Sequence, residues 1–152
     1  AEHLMIVDLL RNDLGKIAIP GSIKVNDLFK IESFNTVHQM ISNITAKLSD
    51  EITEVDIIEA LFPGGSITGA PKESAMKIID ELENYSRDIY TGSIGHIKSN
   101  GDLNFNIAIR TMTVNKENGE YPVGGGIVWD SNADDEWDEA QLKSKILNDI
   151  IK

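Results

Sequence analysis

Apolar positions recur along the chain with changing period, and each change marks a predicted element. From His3 to Leu14 they return every three or four residues at Leu4, Val7, Leu10 and Leu14, the spacing of one helical face. Gly15 is a natural stop for that helix. Pro20-Gly21 marks a turn, and Ile23 to Ile31 alternates loosely, as an extended segment does. Thr36 to Leu48 is rich in β-branched residues. As a strand it puts His38, Met40, Ser42, Ile44 and Leu48 on one face and Val37, Gln39, Ile41 and Asn43 on the other; a helix is the alternative. Thr53 and Asp56 form a capping box ahead of a helix ending at Leu61. After a glycine-rich loop, Ala75, Ile78, Ile79 and Leu82 give an apolar stripe to a helix from Pro71 to Leu82.

The second half changes to period two. Tyr90 to Lys98 and Leu103 to Val114 flank Ser99-Asn100-Gly101-Asp102, a hairpin signal. In the second of these strands Leu103, Phe105, Ile107 and Ile109 share one face. Asn104, Asn106, Ala108 and Arg110 share the other, which keeps Arg110 off the apolar core. Asn118-Gly119 marks another hairpin, leading into Tyr121 to Trp129. The last helix is expected from Ala133 to Ile151, with Asp134, Asp135 and Glu136 in its first turn and Trp137, Ala140, Ile146 or Leu147, and Ile150 as a buried stripe. Together these predict an α+β fold, a largely antiparallel sheet flanked by helices. No repeat, low-complexity tract or linker interrupts residues 1–152, so one domain is expected.

Composition narrows the function classes. The net charge is −11, which argues against nucleic acid as a partner. No run of 18 apolar residues occurs, so no membrane-spanning helix is expected. The absence of cysteine excludes disulfides and thiolate metal sites and fits a cytoplasmic setting. The chain begins at Ala1, already against a helical pattern, and reads as part of something longer.

The loop from Phe62 to Lys72, Phe-Pro-Gly-Gly-Ser-Ile-Thr-Gly-Ala-Pro-Lys, concentrates candidate chemistry. Gly64, Gly65 and Gly69 can take φ > 0 and admit a ligand to the backbone. A helix start beyond them would suit an anion. An ordinary turn between helices accounts equally well for these residues, and Ala-Pro after Gly69 rules out a Walker loop. The loop resembles the signature of component I of aminodeoxychorismate synthase, among the chorismate-utilising enzymes, with anthranilate synthase component I as the near rival. The resemblance continues in Glu2-His3-Leu4-Met5 through Arg11-Asn12-Asp13-Leu14-Gly15, in Pro20-Gly21-Ser22, in Phe105 to Thr111, and in Gly124-Gly125-Gly126-Ile127-Val128-Trp129-Asp130-Ser131. It implies the C-terminal portion of the chorismate-binding fold.

The resemblance also assigns roles. Glu136, Glu139 and Lys143, at i, i+3 and i+7, read by themselves as a solvated helix face. In the resembled family the glutamate matching Glu139 binds Mg²⁺, with that matching Glu136 beside it, and Glu2 matches the other metal carboxylate. Lys143 matches a lysine on a substrate carboxylate. Arg110 and Tyr90, otherwise an exposed strand residue and a core residue, match groups that bind the substrate's side-chain carboxylate. Gly124, Gly125 and Gly126 match backbone donors, and Ser66 matches a contact near the substrate ring. Gln39 stands where relatives often carry a histidine; it can donate a hydrogen bond but cannot deliver a proton near neutral pH. His38 points to the opposite face. The nucleophilic lysine of a Pro-Ile-Lys-Gly-Thr motif has no counterpart in these residues. The implied partners are chorismate and a glutamine amidotransferase supplying ammonia; strand edges left uncovered by an absent N-terminal half would favour self-association.

Overall fold

The computed structural model describes residues 2–35 and 37–147. In chain order the elements are α1 (Glu2–Gly15), β1 (Lys24–Ser33), β2 (His38–Thr45), α2 (Glu54–Leu61), α3 (Gly65–Thr68) and α4 (Lys72–Leu82). There follow β3 (Ser93–Ile97), β4 (Leu103–Ile107), β5 (Thr113–Asn115), β6 (Asn118–Glu120) and α5 (Ala133–Ser144). The fold is α+β, but the strands form three antiparallel two-stranded ribbons, β1–β2, β3–β4 and β5–β6, rather than one expected sheet. The chain divides into two compact units, residues 1–74 and 75–152.

In the first unit α1 packs against α2, α3 and β2. Val7 and Ala60 are its buried apolar residues, and Asp13 is buried with them at 2% exposure. At 3.6 residues per turn Glu2, Leu9 and Asp13 lie within roughly 20° of one line along α1. The predicted capping box closes α2: Asp56 N donates to Thr53 Oγ1 and Thr53 N donates to Asp56 Oδ2. The ribbon β1–β2 slips register between Asn26 and Lys30, where Asp27 and Phe29 take positive φ. Ser42 Oγ accepts Phe29 N at 3.1 Å and lies 2.8 Å from His3 Nε2, tying the bulge to the start of α1.

In the second unit β3 and β4 pair from Ser93↔Ile107 to Ile97↔Leu103 around the predicted hairpin, and Gly101 takes φ 87°. Gly95 sits opposite Phe105, where any Cβ would collide with the Phe105 ring and the Asn104 carbonyl. Ala108 is wholly buried, its N–H donated to Gly92 O and its carbonyl accepting Thr91 N.

Several expectations are corrected. Gly15 belongs to α1 instead of capping it, and α4 starts at Lys72, not Pro71. The strand expected to Val114 stops at Ile107 because Ile109 N bonds Ile107 O, a three-residue turn centred on Ala108. Strand alternation therefore does not reach Arg110, which sits in a bend at φ 52°. Ala108, assigned to the solvent face, is the buried one. The second hairpin turns at Lys116-Glu117, with Lys116 at φ 42°, and Asn118-Gly119 lies inside β6. No strand forms over residues 121–129. The stripes on α4 and α5 are not buried; Ile78, Leu82, Trp137 and Ile146 are exposed, because no described element covers those faces. Ile150 and Ile151 lie outside the described residues. No helix among the described residues is long and apolar enough to cross a membrane.

Candidate functional site

Asn132 starts α5 by accepting Asp134 N and Asp135 N on its side-chain oxygen, which fixes the helix register. That register aligns Glu136, Glu139 and Lys143 on one face. Lys143 Nζ lies 2.5 Å from Glu139 Oε1 and donates to the Gly124 carbonyl at 2.9 Å. Ser131 Oγ donates to Glu136 Oε1 at 2.6 Å and accepts Val128 N, holding the loop before α5. The glycines opposite leave room for these groups. A Cβ on Gly125 would lie 2.8 Å from Glu136 Oε2 and 3.9 Å from Glu139 Oε1. One on Gly124 would lie 2.9 Å from the Tyr90 hydroxyl. Tyr90, Gly124, Gly125, Glu136, Glu139 and Lys143, which the sequence scatters over more than fifty positions, are thus gathered within the second unit. A surface recess of about 420 Å³ beside them is lined by Gly125, Ile127, Ser131, Glu136, Trp137 and Ala140, with Ala133.

Tyr90 is held by a residue the sequence reading did not single out. Arg87 forks onto Glu83 with Nε to Oε2 at 2.7 Å and Nη2 to Oε1 at 2.6 Å. Its Nη1 donates to Thr91 Oγ1, and its guanidinium carbon is 6.0 Å from the centre of the Tyr90 ring. The Arg87 hydrogen bonds hold the Glu83 carboxyl below its usual range, while burial pushes the Tyr90 phenol up and keeps it protonated. The four-residue spacing of Glu83 and Arg87 was a signal, but it falls beyond the end of α4.

Other candidates lie in the first unit. Glu2 is exposed in the first turn of α1. Ser66 is exposed on α3, while Gly64 and Gly65 are buried. Of the three loop glycines only Gly69 takes positive φ, at 139°; Gly64 has φ −63°. Gly65 is required by packing instead, because its Cβ would lie 2.9 Å from Leu9 Cδ1. Thr68 Oγ1 donates to Gly64 O, closing the turn. Lys72 ends the loop on Asp13. Gln39 is exposed opposite Glu32 in the ribbon. His38 pairs with Ser33, its Nδ1 2.9 Å from Ser33 Oγ, which gives it a structural role. In the second unit Gly126 continues the exposed glycine segment. Arg110 is exposed, and among the described residues its guanidinium has no hydrogen-bond or ion-pair partner.

Among the described residues no group of three or more His, Asp or Glu side chains is placed to hold a metal alone. Glu136 and Glu139 nevertheless both bring a carboxylate oxygen close to Gly125. Mg²⁺ ordinarily takes one or two carboxylates and draws its remaining oxygens from ligand and water, so this pair fits.

The sequence matches the family of chorismate binding enzymes over residues 1–149. The chain belongs to that family. It is 52% identical over 151 residues to aminodeoxychorismate synthase component 1 of Salmonella typhimurium, covering 99% of this chain and 33% of that protein. Its identity to the Escherichia coli component 1 is 48% over 153 residues, covering 34% of that protein. Anthranilate synthase component 1 of Saccharolobus solfataricus is 44% identical over 151 residues, 36% of its length. The crystal structure of anthranilate synthase component I from Streptococcus pneumoniae superposes with a TM-score of 0.82 at 39% identity, over 95% of this chain and 33% of that one. The chain therefore spans about a third of the length of these relatives.

Proposed function

We propose that this chain forms part of the chorismate site of an aminodeoxychorismate synthase component I. In the whole enzyme the C4 hydroxyl of chorismate is replaced by an amino group, with ammonia drawn from a glutamine amidotransferase partner. The observation that carries this reading is the gathering of Lys143, Glu136 and Glu139 against bare Gly124 and Gly125 backbone beneath the Tyr90 hydroxyl. Chorismate is a dianion and the chain carries −11, so binding requires a local reversal of sign. Lys143 and a cation on the glutamates supply it for one carboxylate. Arg110 and Tyr90 take the other, and the glycine amides of residues 124–126 donate to the ligand. Glu139, with Glu136 beside it, would hold Mg²⁺; a bound Mg²⁺ would neutralise the ring carboxylate and the charge that builds as the hydroxyl leaves. Ser66 contacts the ring region. Gln39 orients the leaving hydroxyl by a hydrogen bond and leaves its protonation to another group.

Calorimetric titration of chorismate with Mg²⁺ tests the site. Arg110→Gln should weaken binding at least tenfold, while Lys98→Gln, whose lysine is an exposed partner of Asp102, should leave it within a factor of two. Equal losses would defeat the assignment. These residues contain no Pro-Ile-Lys-Gly-Thr, so the 152-residue chain alone should bind without turnover. Formation of aminodeoxychorismate by that chain from chorismate and ammonia would contradict this. The rival reading is anthranilate synthase component I, supported by the 44% identical relative. Gly64-Gly65-Ser66 favours the first, since the rival usually carries Ala-Gly-Thr there. Mass spectrometry of the whole enzyme's product decides between them.

A further inference from the structure

We propose that Asp13 and Lys72 form a clasp that fixes the glycine loop, and with it Ser66, onto the helix that carries Glu2, so that both are positioning residues for the substrate site. The substrate half of this inference rests on the reading of Ser66 as a chorismate contact.

Asp13 is the one buried charged side chain among the described residues. A carboxylate taken out of water is costly unless it is paired and hydrogen-bonded. Here Lys72 Nζ donates to Oδ2 at 2.5 Å and Lys16 Nζ to Oδ1 at 2.8 Å. Burial alone would raise the Asp13 pKa, yet the hydrogen bonds from Lys16 and Lys72 hold it below the usual carboxylate range. The two lysines are not equivalent. Lys16 comes from the end of α1 itself and is mostly exposed, so it neutralises without joining anything distant. Lys72 lies 59 residues away and is largely covered.

Two contacts of the loop with α1 lie one helical turn apart. At its start Gly65 lies against Leu9, closer than any Cβ would allow. At its end Lys72 reaches Asp13, four residues farther along the same line of α1. Between the two points run Ser66 to Pro71, including exposed Ser66 and Gly69 in a conformation that only glycine adopts readily. The same line of α1 begins at Glu2, so one rigid helix sets the spacing of the carboxylate and the loop. Lys72 is thereby committed to Asp13 rather than to a ligand anion, and it acts through the loop.

The test compares Asp13→Asn/Lys72→Met, which leaves no unpaired buried charge, with Lys72→Gln, Lys72→Arg and Lys16→Met, all in the 152-residue chain. Amide hydrogen exchange is followed over residues 62–72 and over β1–β2, and chorismate affinity is measured by calorimetry. The double variant should speed loop exchange at least tenfold with β1–β2 unchanged, Lys72→Gln should speed loop exchange at least tenfold more than that of β1–β2, and both should weaken chorismate at least tenfold. Lys72→Arg should recover most of both, and Lys16→Met should change neither. Loop exchange and affinity unchanged in Lys72→Gln would overturn the clasp, as would loop and ribbon exchange rising equally in the double variant, which marks a loss of global stability alone. If the unaltered chain does not bind chorismate, the proposed function and the substrate half fall together, while loop exchange still decides whether the clasp exists.

Discussion

Lys72 and Lys143 each bring an ammonium within 2.5 Å of a carboxylate, yet their surroundings give the two pairs opposite uses. Asp13 beneath Lys72 is 2% exposed, and the lysine itself 19%. Glu139 beside Lys143 is 53% exposed, and that lysine also holds the Gly124 carbonyl. In the buried pair water cannot replace a lost partner, so the bond holds two segments together. In the open pair water can, so the bond is worth little to folding and is easily exchanged for a ligand oxygen. Both places hold a lysine on a carboxylate. What differs is the medium in which the charges meet, and that depends on packing by residues far away in the sequence.

The comparison breaks first at Lys72. Lys72→Met should lower the unfolding free energy by about 3 kcal/mol, the low end for a broken buried pair because Lys16 remains on Asp13. Urea titration reads this, and a loss under about 1 kcal/mol would place the pair with ordinary surface ion pairs. The same contrast has a pH signature. Asp13 and Glu83 both have folded pKa values below their usual ones. Their stabilisation is therefore complete above the unfolded carboxylate range, near pH 4, and is lost as pH falls through the folded values. Urea midpoints should be flat from about pH 8 to 5 and drop below about pH 4. Asp13→Asn should make that acid drop shallower; an unchanged drop would show that the clasp carries no linkage.

Effects in the second unit should be smaller on folding and appear mainly as lost binding. Gly124→Ala pushes a methyl to 2.9 Å from the Tyr90 hydroxyl, on a ring that cannot swing freely beneath Arg87. Chorismate affinity should fall about tenfold, roughly 1.4 kcal/mol, with little change in urea midpoint. Arg87→Lys keeps the charge but loses the fork onto Glu83. About 1 kcal/mol of stability should go, with a several-fold loss of affinity through Tyr90. A variant that loses stability but binds normally would separate Arg87 from the site.

Much of this was legible locally. The helix α1, the Thr53–Asp56 box, the extended segments of β1 and β2 and the Ser99–Asp102 hairpin all rest on residues within a few positions of each other, whereas the bulge and the pairing of β1 with β2 do not. Legibility failed at Ala108, where a three-residue turn leaves the alternation of apolar letters intact while the backbone leaves strand geometry. The faces of α4 and α5 were read as stripes, but a stripe does not say whether anything covers it; Trp129, in the loop before α5, is 99% exposed. In the site, the spacing of Glu136, Glu139 and Lys143 was visible, whereas their meeting with Gly124, Gly125 and Tyr90 is a contact between distant segments that no local period encodes. Asp13 did leave a trace. It stands on the same helical line as Ile6 and Leu9, where the pattern calls for an apolar residue, and a charge in such a place needs a partner from elsewhere.

The smallest expected change in stability sharpens the comparison most. Lys143→Met removes the partner of an exposed carboxylate and a bond to a carbonyl that water can reach. Unfolding free energy should move by no more than about 0.5 kcal/mol, the range of helical i,i+4 ion pairs. Chorismate affinity should nonetheless fall, and its sensitivity to added salt should weaken, because one cation facing the ligand is gone. If the variant instead lost as much stability as Lys72→Met, the open pair would be a structural bond like the buried one. Lys143 would then have no surplus charge to offer a substrate, and the reversal of sign on which binding of a dianion depends would have to come from other cations.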